Sequence, residues 1–197
     1  MSRTGSKPAP SPYIHTETGN IVSRQSLIYG SQNIILSGKS ILSPHCVLRG
    51  DLRRAGTSTS TGSGGGGGGT VVIAMGKYCF VGEQTVLRPC YKTYKGVFSY
   101  YPMKIGDYVT IGPSCVIEAA QIGTGVEIGK NCIIGPLVIL KDYCKVADGA
   151  VVGPGTIVPS LTEWGGSPAR RVGQLPESTP EIAEAKAKSV YTQFRPE

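Results

Sequence analysis

The side chains best suited to metal binding or acid–base catalysis are two histidines and six cysteines. The histidines, His15 and His45, share no motif. A catalytic zinc site needs three protein ligands and an open position for water, so one chain cannot supply three histidine ligands. No two cysteines form the Cys-x-x-Cys pair typical of zinc and redox sites. The sequence therefore predicts no catalytic, cofactor-binding or metal-binding residue.

The elements that position these side chains follow a repeat. An aliphatic residue recurs every six positions, glycine often comes directly after it, and the fourth residue after it is small or β-branched. A single five-residue step, between Ile117 and Ile122, interrupts the longest block. The aliphatic positions are Leu36, Leu42, Leu48, Met75, Val81, Leu87, Ile105, Ile111, Ile117, Ile122, Ile128, Ile134, Leu140, Val146, Val152, Val158 and, last, Trp164.

A sustained fixed period is the signature of a solenoid, whereas a β-sandwich would show period two with irregular turns. Three short strands and their turns form one triangular coil of about 18 residues, and neighbouring coils bury a common core. We predict an all-β fold, a parallel β-helix with a C-terminal α-helix. The left hand is implied by resemblance to hexapeptide-repeat proteins, because ordinary crossovers are right-handed.

The repeat assigns places to the cysteines. Cys46, Cys79, Cys115, Cys132 and Cys144 occupy the small, inward-facing position, and only Cys90 falls outside it. They are expected to be reduced core residues of an intracellular protein rather than a disulfide framework. His45 directly precedes Cys46, so its side chain is expected to point to solvent.

Two segments interrupt the repeat, and two flank it. Residues 1–12 are predicted to be a disordered tail, and 13–169 the β-helix. Within the β-helix, residues 53–70 form a Gly/Ser-rich insertion expected to be flexible, without the Gly-Lys-Ser or Gly-Lys-Thr of a phosphate loop. Residues 90–104 form a loop in which aromatic and basic residues are mixed. Residues 170–197 are predicted to be a linker and a C-terminal helix.

The loop at 90–104 has two interpretations. It could fold back over one face of the prism, with its aromatic rings covering apolar surface. It could instead bind a partner, since aromatic and basic groups are enriched in interfaces. The first role is favoured, and both can hold. The candidate partner-binding residues are Arg88, Tyr91, Lys92, Tyr94, Lys95, Phe98, Tyr100 and Tyr101.

The C-terminal segment carries helix signals. Ser178 to Glu181 resembles a capping box with proline in the first turn. Ile182, Ala185, Ser189, Val190 and Phe194 are predicted to line one helix face. Because a solenoid end needs covering, this helix or a partner is expected to cover it.

Two enzyme classes resemble the repeat. Hexapeptide acyltransferases are similar in the repeat and in the segment Gly-Gly-Ser-Pro-Ala-Arg at 165–170, and they use a histidine base. The γ-class carbonic anhydrases are similar also in Arg49-Gly50-Asp51 and in Gln84, and they need three histidines on zinc. A zinc-dependent enzyme or an acyltransferase therefore stays open as an alternative function. Arg49 and Asp51 are expected to form a structural ion pair.

Non-repeat segments resemble a narrower family. Residues 19–42, 47–52 and 86–112, with a Gln-Leu-Pro-Glu before the helix, are similar to dynactin subunit five over most of the chain. The resemblance implies a non-enzymatic, cytoplasmic, cytoskeleton-associated subunit of the dynactin pointed-end complex. It implies four kinds of partner: a sister hexapeptide-repeat subunit, pointed-end capping subunits, the actin-related-protein filament and dynein cargo adaptors. The Gly/Ser insertion and the longer N-terminal tail depart from the family pattern.

Charge and hydropathy exclude other partners. The formal charge is +7, but the lysines and arginines are dispersed, so nucleic acid is not an expected partner. No stretch approaches the roughly 18 apolar residues of a membrane span, so no direct membrane insertion is expected. The sequence leaves open whether the positive charge serves an acidic partner or solubility.

Overall fold

The structure, a computed structural model, describes residues 11–52 and 71–195. The predicted tail up to residue 10 and the predicted insertion at 53–70 lie outside this range. The described chain folds into short strands and one long helix. The strands are β1 Tyr13–His15, β2 Ile21–Ser23, β3 Leu27–Tyr29, β4 Ile34–Gly38, β5 Ile41–Leu42, β6 Val47–Arg49, β7 Ile73–Lys77, β8 Phe80–Val81, β9 Val86–Leu87, β10 Tyr91–Tyr94, β11 Val97–Tyr100, β12 Met103–Ile105, β13 Thr110–Ile111, β14 Val116–Ile117, β15 Gln121–Ile122, β16 Glu127–Ile128, β17 Ile133–Ile134, β18 Ile139–Leu140, β19 Lys145–Val146, β20 Val151–Val152, β21 Ile157–Val158, β22 Thr162–Gly166 and β23 Ala169–Gln174.

Successive strands of the repeat go to three different sheets, which form the sides of a prism. Sheet I has nine strands, in the order β1-β2-β5-β8-β13-β16-β19-β22-β23. Sheet II has six, β3-β6-β9-β14-β17-β20, and sheet III has six, β4-β7-β12-β15-β18-β21. Pairing along the prism is parallel, as between Val116 and Ile133 or Ile122 and Leu140. The exceptions are the antiparallel pairs β1·β2 and β22·β23 at the two ends of sheet I.

The core is the column of inward residues that the period predicts. Ile111, Ile117, Ile122 and their equivalents are almost fully buried. The small positions are buried beside them, and Cys46, Cys115 and Cys132 show no exposed surface. All six cysteines are free and buried, including Cys90, which lies outside the repeat register. Each coil therefore shields the apolar side chains of the next.

Most of the glycines that follow the aliphatic residues are needed where coils approach closely. A Cβ atom on Gly112 would lie 2.7 Å from the carbonyl carbon of Gly129 in the next coil. Gly106 and Gly82 meet the adjacent backbone in the same way. None of these three has a positive φ. The left-handed conformation instead occurs two residues later, at corners occupied by side chains such as Tyr78 and Tyr108.

The C-terminal end of the prism is covered by the β22·β23 pair rather than by the helix. Val152 and Val158, on the last strands of sheets II and III, are buried, and Ala169 of β23 joins the same core cluster. Residues 170–174, predicted as linker, are therefore part of a strand that caps the core. At this end the cover comes from β22 and β23 and not from the helix, and cover of an end by a partner stays a prediction.

The helix α1, Thr179–Gln193, packs along a side of the prism. The hydroxyl of Tyr191 donates to the carbonyl of Gly19 over 2.7 Å, and Lys186 pairs with Glu127 at 2.8 Å. Phe194 meets Tyr13 edge-on at 5.2 Å between ring centroids. The helix thus runs antiparallel to the stacking direction, from the later coils back to the first.

Two details of the predicted helix are wrong. Ser178 is the N-cap residue but makes no side-chain cap hydrogen bond, so there is no capping box. The inner face carries Ala187 and parts of Ala183, Val190 and Tyr191, whereas Ile182, Ala185 and Ser189 are exposed. Ala183 lies beside the Gly125 corner that the ring of Tyr143 also fills, which leaves little room for a larger side chain. A search for large apolar residues misses such an alanine face.

Candidate functional site

The two histidines lie at separate exposed positions. His15 ends β1, at the edge of sheet I. His45 occupies a left-handed corner before β6, with φ of 57°, and its side chain points to solvent as expected. Across residues 11–52 and 71–195, no group of three or more His, Cys, Asp or Glu side chains is arranged to hold a metal ion.

The Arg49-Gly50-Asp51 motif forms a bidentate ion pair. The Nε and Nη2 atoms of Arg49 donate to the two carboxylate oxygens of Asp51 over 2.7 and 2.8 Å. The hydrogen bond from Arg49 lowers the pKa of the Asp51 carboxyl. Arg49 also lies over the ring of Tyr29 in the preceding coil, 5.3 Å from its centroid. Both side chains are about one-third exposed, so this is a surface ion pair within one corner, and only the contact of Arg49 with Tyr29 joins two coils.

Gln84 is separated from this ion pair by the width of sheet II. Gln84 occupies a left-handed corner that precedes β9, and its amide N–H bonds to Pro44 beside His45. Asp51 follows the other end of β6. The residues that resemble a carbonic anhydrase site therefore lie at two different corners of the prism.

Five of the six cysteine thiols, all except Cys132, have raised pKa values and are poorly suited to nucleophilic or metal chemistry. A hydrogen bond with Cys115 lowers the pKa of Cys132 to about 7, but this thiol has no exposed surface. Burial raises the pKa of Cys46, Cys79 and Cys144 to about 12 in each case. A hydrogen bond with Cys132 and burial raise the pKa of Cys115 as well. A thiol must lose its proton to attack or to bind a metal, so these thiols are inert near neutral pH.

The segment predicted as a loop at 90–104 is mostly a β-hairpin. Strands β10 and β11 pair antiparallel, with Tyr91 opposite Tyr100 and Tyr94 opposite Val97. Lys95 and Gly96 form the turn, both with positive φ, as a two-residue type I′ hairpin turn requires. The last residues, from Met103, belong to β12 of sheet III, and Met103 is buried. The hairpin leaves the prism between β9 and β12.

One face of the hairpin carries an aromatic cluster. The rings of Tyr91, Phe98 and Tyr100 lie 5.0 to 6.4 Å apart between centroids, in one stacked and two edge-on contacts. Tyr91 is 42% exposed and Phe98 46%. These rings contact each other and keep much of their surface in solvent. The favoured expectation, that they cover a face of the prism, does not fit this exposure.

Basic side chains and further apolar surface border the cluster. Lys92 and Lys95 are exposed, and Val97, beside the turn, is 60% exposed. Tyr101 is half-buried at the base, where its N–H donates to the carbonyl of Cys90 over 2.8 Å. The candidate residues from Tyr91 to Tyr101 therefore lie on or beside one projecting element with a buried base. The prediction that they bind a partner stays a prediction.

Arg88 lies on the prism itself, and its charge is paired there. Its guanidinium bonds to the carboxylate of Glu118 on the next coil of sheet II. The Glu118 side chain is only 12% exposed. This contact fixes Arg88 against the prism, at the base of the hairpin.

Comparison with known proteins assigns the chain to a family. The family profile described as Dynactin subunit 5 matches residues 7–61 and 67–197. Dynactin subunit 5 of Dictyostelium discoideum is 38% identical over 186 residues, which span 94% of this chain and 85% of that protein. The chain belongs to the dynactin subunit 5 family. The family inferred from the non-repeat segments is therefore confirmed.

More distant matches of this dynactin subunit 5 family member include proteins named as enzymes. Gamma carbonic anhydrase 1, mitochondrial, of Arabidopsis thaliana is 28% identical over 159 residues, 79% of this chain and 50% of that protein. An N-acyltransferase from Bacillus cereus has a TM-score of 0.59 at 14% identity, covering 86% of this chain and 88% of that chain. A hexapeptide transferase family protein from Anaplasma phagocytophilum has a TM-score of 0.50 at 17% identity, covering 90% and 92%.

These likenesses confirm the predicted fold of the family member, a left-handed parallel β-helix of hexapeptide repeats with a C-terminal helix. At such identities the solved structures show the fold alone. The assignment to dynactin rests on the family profile and on the Dictyostelium relative.

Sequence reasoning missed Val97, the most exposed apolar side chain of the hairpin. The sequence did carry a signal for a β-hairpin: polar and apolar residues are mixed on both sides of Lys95-Gly96, and glycine stands at the second turn position.

The described residues contain no helix long and apolar enough to cross a membrane.

Proposed function

We propose that the chain is a non-catalytic subunit of the dynactin pointed-end complex. In that role it joins the end of the actin-related-protein filament to cargo and adaptors for dynein-driven transport on microtubules. Its place is the cytoplasm, in association with the cytoskeleton. The observation that carries the proposal is a projecting, half-exposed aromatic hairpin on a member of the dynactin subunit 5 family.

The hairpin has the properties of a docking element. Its base is held by the buried residues Cys90 and Met103, and the aromatic cluster holds its two strands together. A two-stranded hairpin is marginally stable by itself, so this anchoring reduces the ordering cost of binding. Aromatic anchors bordered by lysines suit a partner segment with apolar and acidic residues. Dynein cargo adaptors are the proposed partners of this element.

The rest of the prism suits the proposed structural partners. The buried repeat gives a stiff body with flat sides. Such a body can hold a sister hexapeptide-repeat subunit, the pointed-end capping subunits and the filament end at fixed distances. The separated, exposed histidines and the burial of all six thiols, five of them with raised pKa values, support a role without catalysis.

Co-purification with a hairpin variant tests the proposal. Tyr94, Lys95 and Phe98 are replaced together by alanine in the full chain, tagged in its own cells. We expect the wild type to recover actin-related protein and other dynactin subunits. The variant should recover these subunits equally but lose adaptors about tenfold or more, with a melting temperature near that of the wild type. Quantitative mass spectrometry of the purified complexes measures both effects.

A matched control replaces an exposed lysine and an exposed aliphatic residue elsewhere: Lys141→Ala, just after β18, with Ile157→Ala on β21. This control should keep both subunits and adaptors. Absence of actin-related protein and dynactin subunits from the wild-type preparation would refute the complex assignment. A melting temperature that falls while adaptor recovery stays unchanged would return the hairpin to a packing role.

The alternative functions are tested on the same purified chain. A zinc-dependent carbonic anhydrase should contain about one zinc per chain and hydrate carbon dioxide. An acyltransferase that uses a histidine base should lose its transfer activity in His45→Ala. We expect no zinc-dependent hydration and no histidine-dependent transfer.

A further inference from the structure

A cavity of about 380 Å³ lies where the first coils of the prism meet the C-terminal half of α1. Its wall comes from separate parts of the chain: the turn between β1 and β2, the corners that follow β4, β7 and β12, and α1. Lysines from three of these places line it, namely Lys39, Lys77 and Lys188. Among the described residues, no carboxylate is part of the lining.

A missing side chain at Gly38 opens the cavity. Gly38 pairs with Lys77, so these residues hold the same position in consecutive coils, and Asp107 holds it in the following coil. Gly38 has a φ of 139°, and a Cβ atom there would lie 2.7 Å from the carbonyl oxygen of Thr18. The first coil therefore lacks the side chain that the next two coils carry at this position.

Two of the three ammonium groups are held in place by the corner tyrosines. The Nζ atom of Lys39 donates to the hydroxyl of Tyr78 over 3.0 Å and lies 5.2 Å from the centroid of that ring. Lys188 lies 5.9 Å from the centroid of Tyr108, which stacks on Tyr78. The hydrogen bond to Tyr78 raises the pKa of Lys39 against the opposing charge of Lys188. The two cations are therefore positioned near each other before any anion arrives, which lowers the ordering cost of binding one.

Two carboxylates lie close to these lysines, and both already have partners. Glu184 pairs with Lys188 at 2.5 Å and accepts a hydrogen bond from the hydroxyl of Tyr108 over 3.2 Å. Asp107 accepts a hydrogen bond from the backbone N–H of Lys77 over 2.7 Å. The contact of Asp107 belongs to the repeat, because aspartates of later coils accept equivalent hydrogen bonds.

The ammonium groups of Lys39 and Lys77 are not neutralised. Within residues 11–52 and 71–195, neither makes an ion pair. Elsewhere on the prism a lysine pairs with a carboxylate of the neighbouring strand, as Lys145 does with Glu163 at 2.9 Å. A cleft lined by charges of one sign concentrates ions of the opposite sign. The cavity therefore favours an anion.

The lining favours an anion with more than one phosphate group. A lysine ammonium binds phosphate oxygens through as many as three donated hydrogen bonds, and the three ammonium groups reach the cavity from different elements. Ser37 and Thr18 add hydroxyl groups to the same wall. A nucleobase finds no open ring to stack on at Tyr78, because Tyr108 lies on one side of it and Lys39 on the other.

We propose that this cavity binds an anion carrying several phosphate groups, of the inositol polyphosphate class. The phosphate groups bridge Lys39 and Lys77 on the prism to Lys188 on α1. This chemistry is shared by free inositol polyphosphates and by the headgroups of phosphoinositide lipids. The proposal goes beyond the dynactin role and does not depend on it.

Isothermal titration of the purified full chain with inositol hexakisphosphate tests the site. Lys39→Gln with Lys77→Gln should weaken binding about tenfold or more, because two charge-assisted contacts are lost. Lys104→Gln with Lys141→Gln is the matched control, since it removes the same net charge from two exposed lysines outside the cavity. This control should bind nearly as tightly as the wild type. Inorganic phosphate should bind more weakly than the hexakisphosphate, because one phosphate group cannot reach all three lysines.

A substitution that strengthens binding gives a second readout. Glu184→Gln removes the carboxylate that competes for Lys188 and should tighten binding about threefold or more, whereas Glu181→Gln, exposed on the same helix, should not. The hexakisphosphate should also slow hydrogen exchange of the α1 amides around Lys188 in the wild type. It should not do so in the variant that lacks the charges of Lys39 and Lys77.

Vesicles distinguish the two sources of the ligand. Phosphatidylcholine vesicles are sedimented with the chain, with and without phosphatidylinositol bisphosphate. Binding of the soluble probe without vesicle binding assigns the site to a free anion. Vesicle binding that needs the bisphosphate lipid and is lost in the Lys39 and Lys77 variant assigns it to a lipid headgroup.

Three results would overturn the proposal. The first is a wild-type chain that does not bind the hexakisphosphate, or that binds inorganic phosphate as tightly. The second is an equal loss of affinity in the cavity variant and its matched control, which would show a general effect of surface charge. The third is an affinity that Glu184→Gln leaves unchanged or weakens. The melting temperature of each variant, measured by circular dichroism, shows that the fold is kept.

Discussion

At Gly112 the backbone of the next coil passes directly over the Cα atom. The missing side chain leaves room for the carbonyl group of Gly129, which a Cβ atom would approach within 2.7 Å. Gly153 occupies the same position of the repeat in the last coil. The nearest atom to a Cβ there is the Thr156 hydroxyl, at 3.9 Å. Gly112 and Gly153 therefore occupy the same position of the repeat, but only at Gly112 does the neighbouring backbone leave no room for a side chain.

Alanine at these two positions should have opposite effects. Gly112→Ala forces backbone to move in two coils and should lower the free energy of unfolding by about 2 kcal/mol or more. Gly153→Ala meets no obstacle and should leave stability within about 0.5 kcal/mol or raise it slightly, because alanine restricts the unfolded chain. Denaturant unfolding measures both. Equal losses in the two variants would contradict the close-approach explanation.

The sequence could indicate that these glycines matter but not why. Unusual backbone angles and close approach both favour glycine, and the letters do not separate them. The left-handed corners could not be found at all, because Tyr78, Tyr108 and Tyr143 adopt that conformation despite their side chains. Stacking of Tyr78 on Tyr108, at 5.8 Å between centroids, contributes to the corner and depends on neighbours distant in sequence.

The helix α1 is held to the prism by a narrow face. Ala187 is 4% exposed, while Ala185, two residues earlier, points to solvent. Ala183 faces the corner at Gly125 and Tyr143, and Tyr191 reaches Gly19. The small alanine side chains thus let the helix axis approach the corner at Gly125. Tyr191 holds the C-terminal part of the helix to the first coil.

Arginine at these two alanines should therefore discriminate between the faces. Ala187→Arg should release α1, since the larger side chain cannot fit and its charge would be buried without a partner. Ala185→Arg should leave it docked. Hydrogen exchange of the α1 amides measures docking, and we expect faster exchange in Ala187→Arg only. Unchanged exchange in both variants would show that the helix tolerates a shifted position.

Elements that repeat were predictable, and elements that occur once were not. Each inward strand residue is supported by equivalents such as Ile111, Ile128 and Val146, so one error in the pattern does not change the result. The hairpin, the β22·β23 cap and the face of α1 each depend on contacts made in one place. The outward column of sheet II is an intermediate case; it consists of Leu27, Val47, Val86, Val116, Ile133 and Val151. Its residues precede the inward ones by one position, yet only the pairing of sheet II shows that no charge interrupts the column.

At the scale of the whole molecule, one coil is a unit that can be removed. Ile122 pairs with Leu140, so residues 123–140 form one full turn of the prism. Their deletion joins Ile122 to Lys141 with every later residue still facing the same side. Deletion of 123–139 removes one residue fewer. It would turn the following strands so that outward residues face the core, because side chains alternate along a strand.

We expect the full-turn deletion to fold and the shorter deletion to fail. The shortened prism should lose about 4.8 Å of length, the spacing of one coil. It should also lose stability, because the Lys186–Glu127 ion pair and part of the α1 contact disappear. Circular dichroism and thermal unfolding test for a cooperative β-fold, and small-angle X-ray scattering measures the length. A cooperative fold in both deletions would mean that the corners absorb a change of one residue, as the step between Ile117 and Ile122 already does. The inward–outward register would then be set at each corner rather than by the six-residue count.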